Sequence, residues 1–142
     1  MSASTRTVLI TGATDGIGYE TAHLLVAEGC TVIVHARTSE RGEEAVERLV
    51  KQGTEPMRLR LAVADFTSFA EVAAMAHMVA EAHPRLDVLV NNAAVAGENH
   101  RVLTKDGHEQ TWQVNYLSHF LLTMMLERPL ARARQARIVN LS

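Results

Sequence analysis

The chain has 142 residues, 47% of them hydrophobic and 21% charged, with a formal net charge of −2. That length and balance suit one folded domain over residues 1–142 with a sizeable core, and they exclude a disordered or low-complexity segment. The near-neutral charge lacks the basic face that a nucleic-acid partner requires, so none is expected.

The first residues, Met1 to Thr5, are polar and carry no apolar signal core. Thr7 to Ile10 then reads as a short buried strand. Directly after it comes Thr11-Gly12-Ala13-Thr14-Asp15-Gly16-Ile17-Gly18, a glycine-rich turn that opens a helical pattern. A strand turning sharply into a helix presents unpaired N–H groups and the positive end of the helix dipole, which together stabilise a pyrophosphate. Gly12 serves the tight turn, Gly16 the approach of backbone to phosphate and Gly18 the packing of helix on strand. Asp15 would repel a phosphate directly, so its expected task is to cap the helix that starts near Gly16 or Ile17.

The β-branched run Thr31 to Val34 is a second strand, followed by an amphipathic helix from Ser39 to Lys51 with Ser39 as its N-cap. Met57 to Val63 reads as a third strand, Ser68 to Ala82 as a helix ended by Pro84, and Leu86 to Val90 as a fourth strand. A loop runs to about Lys105, a long helix covers Gly107 to Leu126, and Arg137 to Leu141 is a fifth strand. Strands alternating with helices in this way imply an α/β fold. The expected architecture is a Rossmann-type doubly wound parallel sheet in three α/β/α layers, ending after the fifth strand. In such sheets ligands bind beyond the carboxyl ends of the strands, where strand order reverses. Gly12 to Gly18, Arg37, Asp65, Asn91 with Asn92, and Ser142 all fall at such ends.

Other features are plain. Cys30 is the only cysteine, which excludes an intrachain disulfide, suits a reducing cytoplasmic location and reads as a small buried apolar residue. The apolar stretch Tyr116 to Leu126 is interrupted by Ser118, His119 and Thr123 and falls short of the ~18 residues a membrane span needs. Seven histidines show no ligand spacing, so no metal site is expected. Arg128, Arg132, Arg134 and Arg137 form the single local excess of charge, read as a solvated helix end.

Taken together, these motifs resemble the short-chain dehydrogenase/reductase family, whose Thr-Gly-x-x-x-Gly-x-Gly turn is matched at Thr11, Gly12, Gly16 and Gly18. Asp65, Asn91-Asn92-Ala93, Asn115 and Ile138-Val139-Asn140-Leu141-Ser142 follow in the family's order. Thr104 to Glu109 and Val114 to Thr123 look like the retinol dehydrogenase branch. The resemblance implies an oxidoreductase moving hydride between a nicotinamide cofactor and a small alcohol or carbonyl substrate, of lipophilic character in that branch. It implies that Gly12, Thr14, Asp15, Gly16, Ile17 and Gly18 hold the cofactor's phosphates, that Asp65 contacts adenine, and that Asn91 and Ala93 lie along the ribose.

Cofactor choice rests on the end of the second strand, where an acidic residue would accept from the ribose 2′-hydroxyl of NAD. This chain has Ala36-Arg37 there, and an arginine supplies a planar cation for a 2′-phosphate, which favours NADP over NAD. The alternative is that Arg37 is an ordinary surface residue at a strand end.

The family's proton exchange uses a tyrosine followed four residues later by a lysine. Tyr19 and Tyr116 are followed at that spacing by His23 and Phe120, so the pair does not occur, and Tyr116 is expected to serve packing. Among the catalytic positions the resemblance assigns Asn115 to a water-linked proton path. Ser142 is the first serine of the usual Asn-x-Ser-Ser pattern, whose active member is the second. Ala94 and Ser118 stand where the family commonly has glycine. The chain therefore reads as the amino-terminal part of an NADP-dependent enzyme, or else as a non-catalytic NADP-binding sensing or regulatory module, or a remnant that binds nothing. The apolar side of the long helix, from Trp112 through Phe120 to Leu126, is expected to be exposed and to form a homo-oligomer contact.

Overall fold

The computed structural model describes residues 5–142. Its centre is a five-stranded, all-parallel sheet in the order β3-β2-β1-β4-β5, formed by β1 (Thr7–Ile10), β2 (Thr31–Ala36), β3 (Leu59–Val63), β4 (Val88–Asn91) and β5 (Arg137–Asn140). Strand order grows outward in both directions from β1, so the crevice of a doubly wound sheet opens between β1 and β4.

Period-two alternation sends successive residues of each strand into two separate cores. Val8 and Ile10 of β1 join Val32 and Val34 under helices α1 (Gly16–Ala27) and α2 (Ser39–Lys51), where Ala22, Val26, Ala45 and Leu49 are buried. Leu9, Ile33 and Leu89 face the other way. They meet Val72, Met75 and Val79 of α3 (Phe69–Ala82) and Leu122 of α5 (Ser118–Met125).

Several boundaries differ from the sequence reading, each for a local reason. The N-cap of α2 is Thr38, not Ser39, because the Thr38 hydroxyl accepts the Arg41 N–H at 3.3 Å. Pro56 starts a 3₁₀ turn, Pro56–Arg58, which delays β3 to Leu59. Leu86 and Asp87 precede β4, the Asp87 carboxylate being engaged by the Thr7 N–H at 2.8 Å.

The expected continuous helix over 107–126 is instead built in pieces: α4 (Gln110–Trp112), a π-helical turn (Gln113–Leu117), α5, and then α6 (Glu127–Ala131). It cannot begin at Gly107, which has φ +84°. Glu109 begins it, its carboxylate accepting the N–H groups of Thr111 at 3.0 Å and Trp112 at 2.8 Å. Leu126 is fully buried rather than part of the exposed stripe, which consists of Trp112, Tyr116, Phe120 and Met124. Tyr116 stacks on Trp112 with ring centroids 4.5 Å apart, so its packing is with exposed neighbours and not with the core.

Leu89 lies fully buried at the middle of β4 between both halves of the sheet. Leu89→Ala should cost about 3 kcal/mol, the loss of transfer energy plus a cavity, read as a lower urea midpoint with an unchanged slope.

Candidate functional site

At the carboxyl end of β1 the turn obeys two different constraints. A Cβ on Gly12 would lie 2.7 Å from the Ala93 Cα, and one on Gly18 would lie 2.5 Å from the Gly12 carbonyl oxygen, so both positions are closed by neighbouring backbone. Gly16 has open space around it but a φ of +55°, so there the constraint is conformation. The Asp15 carboxylate accepts the Gly16 N–H at 2.9 Å and starts α1.

Thr11 ties this turn to its neighbours. Its hydroxyl oxygen accepts the N–H groups of Asn92 and Ala93, each at 2.9 Å, and lies 2.8 Å from Nε2 of His119. The Asn92 amide donates to the carbonyls of Thr11 at 2.9 Å and Gly12 at 3.1 Å. From the other side, Nδ1 of His35 accepts the Gly12 N–H at 2.9 Å while Nε2 donates to the Ala64 carbonyl at 2.9 Å. That pair of bonds requires the neutral imidazole with its proton on Nε2. His35 stacks on Phe66 at 4.5 Å, and Phe66 meets His119 edge-on at 5.0 Å. On α2, Arg48 donates to the Thr14 carbonyl and lies 4.5 Å over the Tyr19 ring.

The turn opens on a cavity of about 490 Å³. Gly12, Thr14, Asp15 and Gly16 form its floor, with Arg37, Arg41 and Asp65 on the β2 and β3 side and Ala93 on the β4 side. Arg37, 62% exposed, donates from Nε to the Asp65 carboxylate at 3.3 Å. Burial works against the Asp65 charge, but the backbone N–H and hydroxyl of Thr67, with Arg37, hold its pKa below the ordinary carboxylate value. Ile17 and Gly18 do not line the cavity: Ile17 is 67% exposed, and Gly18 is buried in the packing of α1.

The remaining expected residues gather elsewhere. Asn91, expected along a ribose, donates to the Asn140 side chain at 2.8 Å and to the Thr123 hydroxyl at 3.3 Å, bracing β4 against β5 and α5. It lines a second cavity of about 550 Å³ together with Asn115, His119, Asn140 and Ser142. The Asn115 side chain accepts the Val95 N–H at 2.8 Å and donates to the Val95 carbonyl at 3.0 Å, which fixes the loop after β4. Among the described residues no group of three or more His, Cys, Asp or Glu side chains is arranged to hold a metal ion, and no helix is long and apolar enough to cross a membrane.

Sequence reasoning did not find His35, Arg41, Arg48 or Phe66. A signal existed for His35, a polar residue ending an otherwise apolar β-branched run. Arg41 and Arg48 face the turn only because α2 packs beside it.

A doubly wound parallel sheet with a glycine-bent turn at its switch point defines a Rossmann-like α/β protein. Residues 6–142 match the profile of the short chain dehydrogenase family, and the chain belongs to that family of oxidoreductases. It is 40% identical over 137 residues to retinol dehydrogenase 13 of Mus musculus, covering 96% of this chain and 40% of that protein. It is 37% identical over 139 residues to the WW domain-containing oxidoreductase of Gallus gallus, covering 98% of this chain and 33% of that protein. A metagenomic short-chain oxidoreductase in complex with NADP superposes with a TM-score of 0.82 at 29% identity, over 100% of this chain and 63% of that one. The chain thus spans well under half the length of these two curated relatives.

Burial pushes the His35 pKa from its ordinary 6.5 down to about 4, against the pull of its bond to Ala64. The unfolded chain therefore binds a proton that the folded chain refuses between those values, and stability must fall as pH drops through that window. The His35 contribution, fully present above pH 6.5, is on the order of 3 kcal/mol. Urea titrations at pH 7, 5.5 and 4.5 should show this loss, and His35→Asn should flatten the slope while lowering stability at pH 7.

Proposed function

We propose that the 490 Å³ cavity holds NADP(H) and that the chain forms the cofactor-binding part of an oxidoreductase acting on an alcohol or carbonyl compound. The observation that carries this reading is the cation at the end of β2: Arg37 stands where a carboxylate would be needed for the ribose 2′-hydroxyl of NAD. Arg41 lines the same wall, so a 2′-phosphate would meet two guanidinium groups. The chemistry of the floor fits the group. Gly16 leaves open space beside the turn, and its φ of +55° is a conformation that glycine adopts without strain. Gly12, Thr14, Asp15 and Gly16 would surround the pyrophosphate, with Asp65 and Ala93 flanking the adenosine. The NADP complex of the metagenomic relative supports the choice of cofactor.

Bound there, the cofactor supplies the hydride that passes to or from the substrate carbon. This chain's own residues bind and orient it. Asn115 and Ser142 border the second cavity, beside the proposed cofactor cavity, where they would face the substrate side. No Tyr-x-x-x-Lys pair occurs in residues 1–142, so this chain by itself is expected to bind cofactor without turning over substrate. The likeness to a retinol dehydrogenase supports a lipophilic substrate. A reducing, cytoplasmic location suits the single buried Cys30.

Calorimetric titration tests the cofactor. NADPH should bind at least roughly tenfold more tightly than NADH, about 1.4 kcal/mol for one charge-assisted contact, and Arg37→Asp should reverse the preference. Equal affinities in both proteins would overturn the assignment.

The exposed stripe Trp112, Tyr116, Phe120 and Met124 supports self-association through the segment 107–126. Sedimentation velocity should then show a dimer that Phe120→Glu converts to monomer, with the Tm of the variant no longer dependent on protein concentration.

A further inference from the structure

Sequence alone places Arg134 and Arg137 in a solvated cluster with Arg128 and Arg132. The fold adds two arginines from far along the chain. At the amino-terminal ends of β1, β4 and β5, the end of the sheet opposite the glycine-rich turn, a cavity of about 360 Å³ is lined by Arg6, Arg85, Asp87, Arg134, Gln135 and Arg137.

The lone carboxylate is already engaged. Asp87 accepts from the Thr7 N–H at 2.8 Å and from Arg85 at 3.1 Å, and Arg85 also donates to the Thr5 carbonyl at 3.1 Å. Among the described residues no carboxylate lies within ion-pair distance of Arg6, Arg134 or Arg137. The backbones of Arg6 and Arg137 are anchored: Thr31 N–H donates to the Arg6 carbonyl at 2.8 Å, and the Arg137 N–H to the Asp87 carbonyl at 3.0 Å. Arg132, by contrast, turns to the Pro84 carbonyl at 3.4 Å and does not line the cavity. A chain with net charge −2 thus gathers four arginines against one aspartate in a single concavity.

We infer that this cavity is an anion site for a ligand bearing two or more phosphate groups, separate from the proposed cofactor cavity. Like charges held together repel one another, and a multivalent anion removes that repulsion. The planar fork of a guanidinium matches two phosphate oxygens at once, which favours phosphate over a point-like anion. Gln135 adds a neutral amide donor at the rim. The volume exceeds that of one phosphate group and accommodates at least two. The phosphates belong either to a soluble molecule or to a phospholipid head group, since the chemistry presented to the arginines is the same.

The test is titration of the 142-residue chain with inorganic pyrophosphate at ~0.15 M salt, where surface charges are screened beyond about 8 Å. Saturable binding is expected, weakened at least tenfold in Arg134→Gln/Arg137→Gln. These exposed substitutions should leave Tm unaltered, which separates loss of the site from loss of the fold. Absence of saturable binding at millimolar pyrophosphate overturns the inference. So does binding that survives the double substitution, which would assign the anion to the glycine-rich turn. Sedimentation with phosphatidylcholine vesicles containing phosphatidic acid distinguishes the sources: arginine-dependent pelleting assigns the phosphates to lipid, and pyrophosphate binding without pelleting assigns them to a soluble ligand.

Discussion

The Thr11 hydroxyl is the joint on which the rest of the site depends. It is fully buried, accepts two backbone N–H groups from the end of β4 and reaches His119 on α5. With the Asn92 amide holding the Thr11 and Gly12 carbonyls and His35 taking the Gly12 N–H, the protein-facing polar groups of the turn are satisfied from β2, β4 and α5. Each such group left unpaired in a buried position would cost about 1–3 kcal/mol. Satisfying the inner side of the turn leaves its outer side, at Thr14 to Gly16, facing the cavity.

This joint also sets how the two large cavities relate. The Asn92-Ala93 stretch that bonds Thr11 forms a wall of the proposed cofactor cavity, while Asn91, one residue earlier, faces Asn140 and the second cavity. β4 ends at Asn91, and the irregular segment from Asn92 to Val95 that follows it turns to the glycine-rich side, so all four of its residues line the proposed cofactor cavity. The π-helical turn contributes in the same way. It carries Gln113 and Asn115 and delivers Ser118, whose hydroxyl donates to the Phe66 carbonyl at 2.7 Å, so the segment is tied to the turn after β3 while Asn115 reaches the Val95 backbone.

Local rules explain which boundaries were legible. The helix Ser39–Lys51 has the bounds its amphipathic pattern implies, because no tertiary contact competes with that pattern. Its cap moved by one residue because Ser39 and Thr38 are both good caps, and the hydroxyl reaching Arg41 N–H decides. The segment from Gly107 to Leu126 misled for a different reason. Its apolar content suits one straight helix, but the bonds of Glu109 and the packing of Gln113 and Ser118 against Phe66 impose a late start and a wide turn.

The five strands, the helices up to α3 and the glycine-rich turn were legible along the chain: β-branched runs, amphipathic helices and a Thr-Gly-x-x-x-Gly-x-Gly bend act over a few residues, and their chemistry is visible in order. Tertiary structure alone decided which distant side chains meet. It paired Arg37 with Asp65, set His35 and His119 on either side of Phe66, sent Asn91 away from the glycine-rich turn, and brought Arg6 and Arg85 to Arg134 and Arg137. Those meetings follow from the order and register of the parallel strands, which side-chain periodicity within a single segment does not encode.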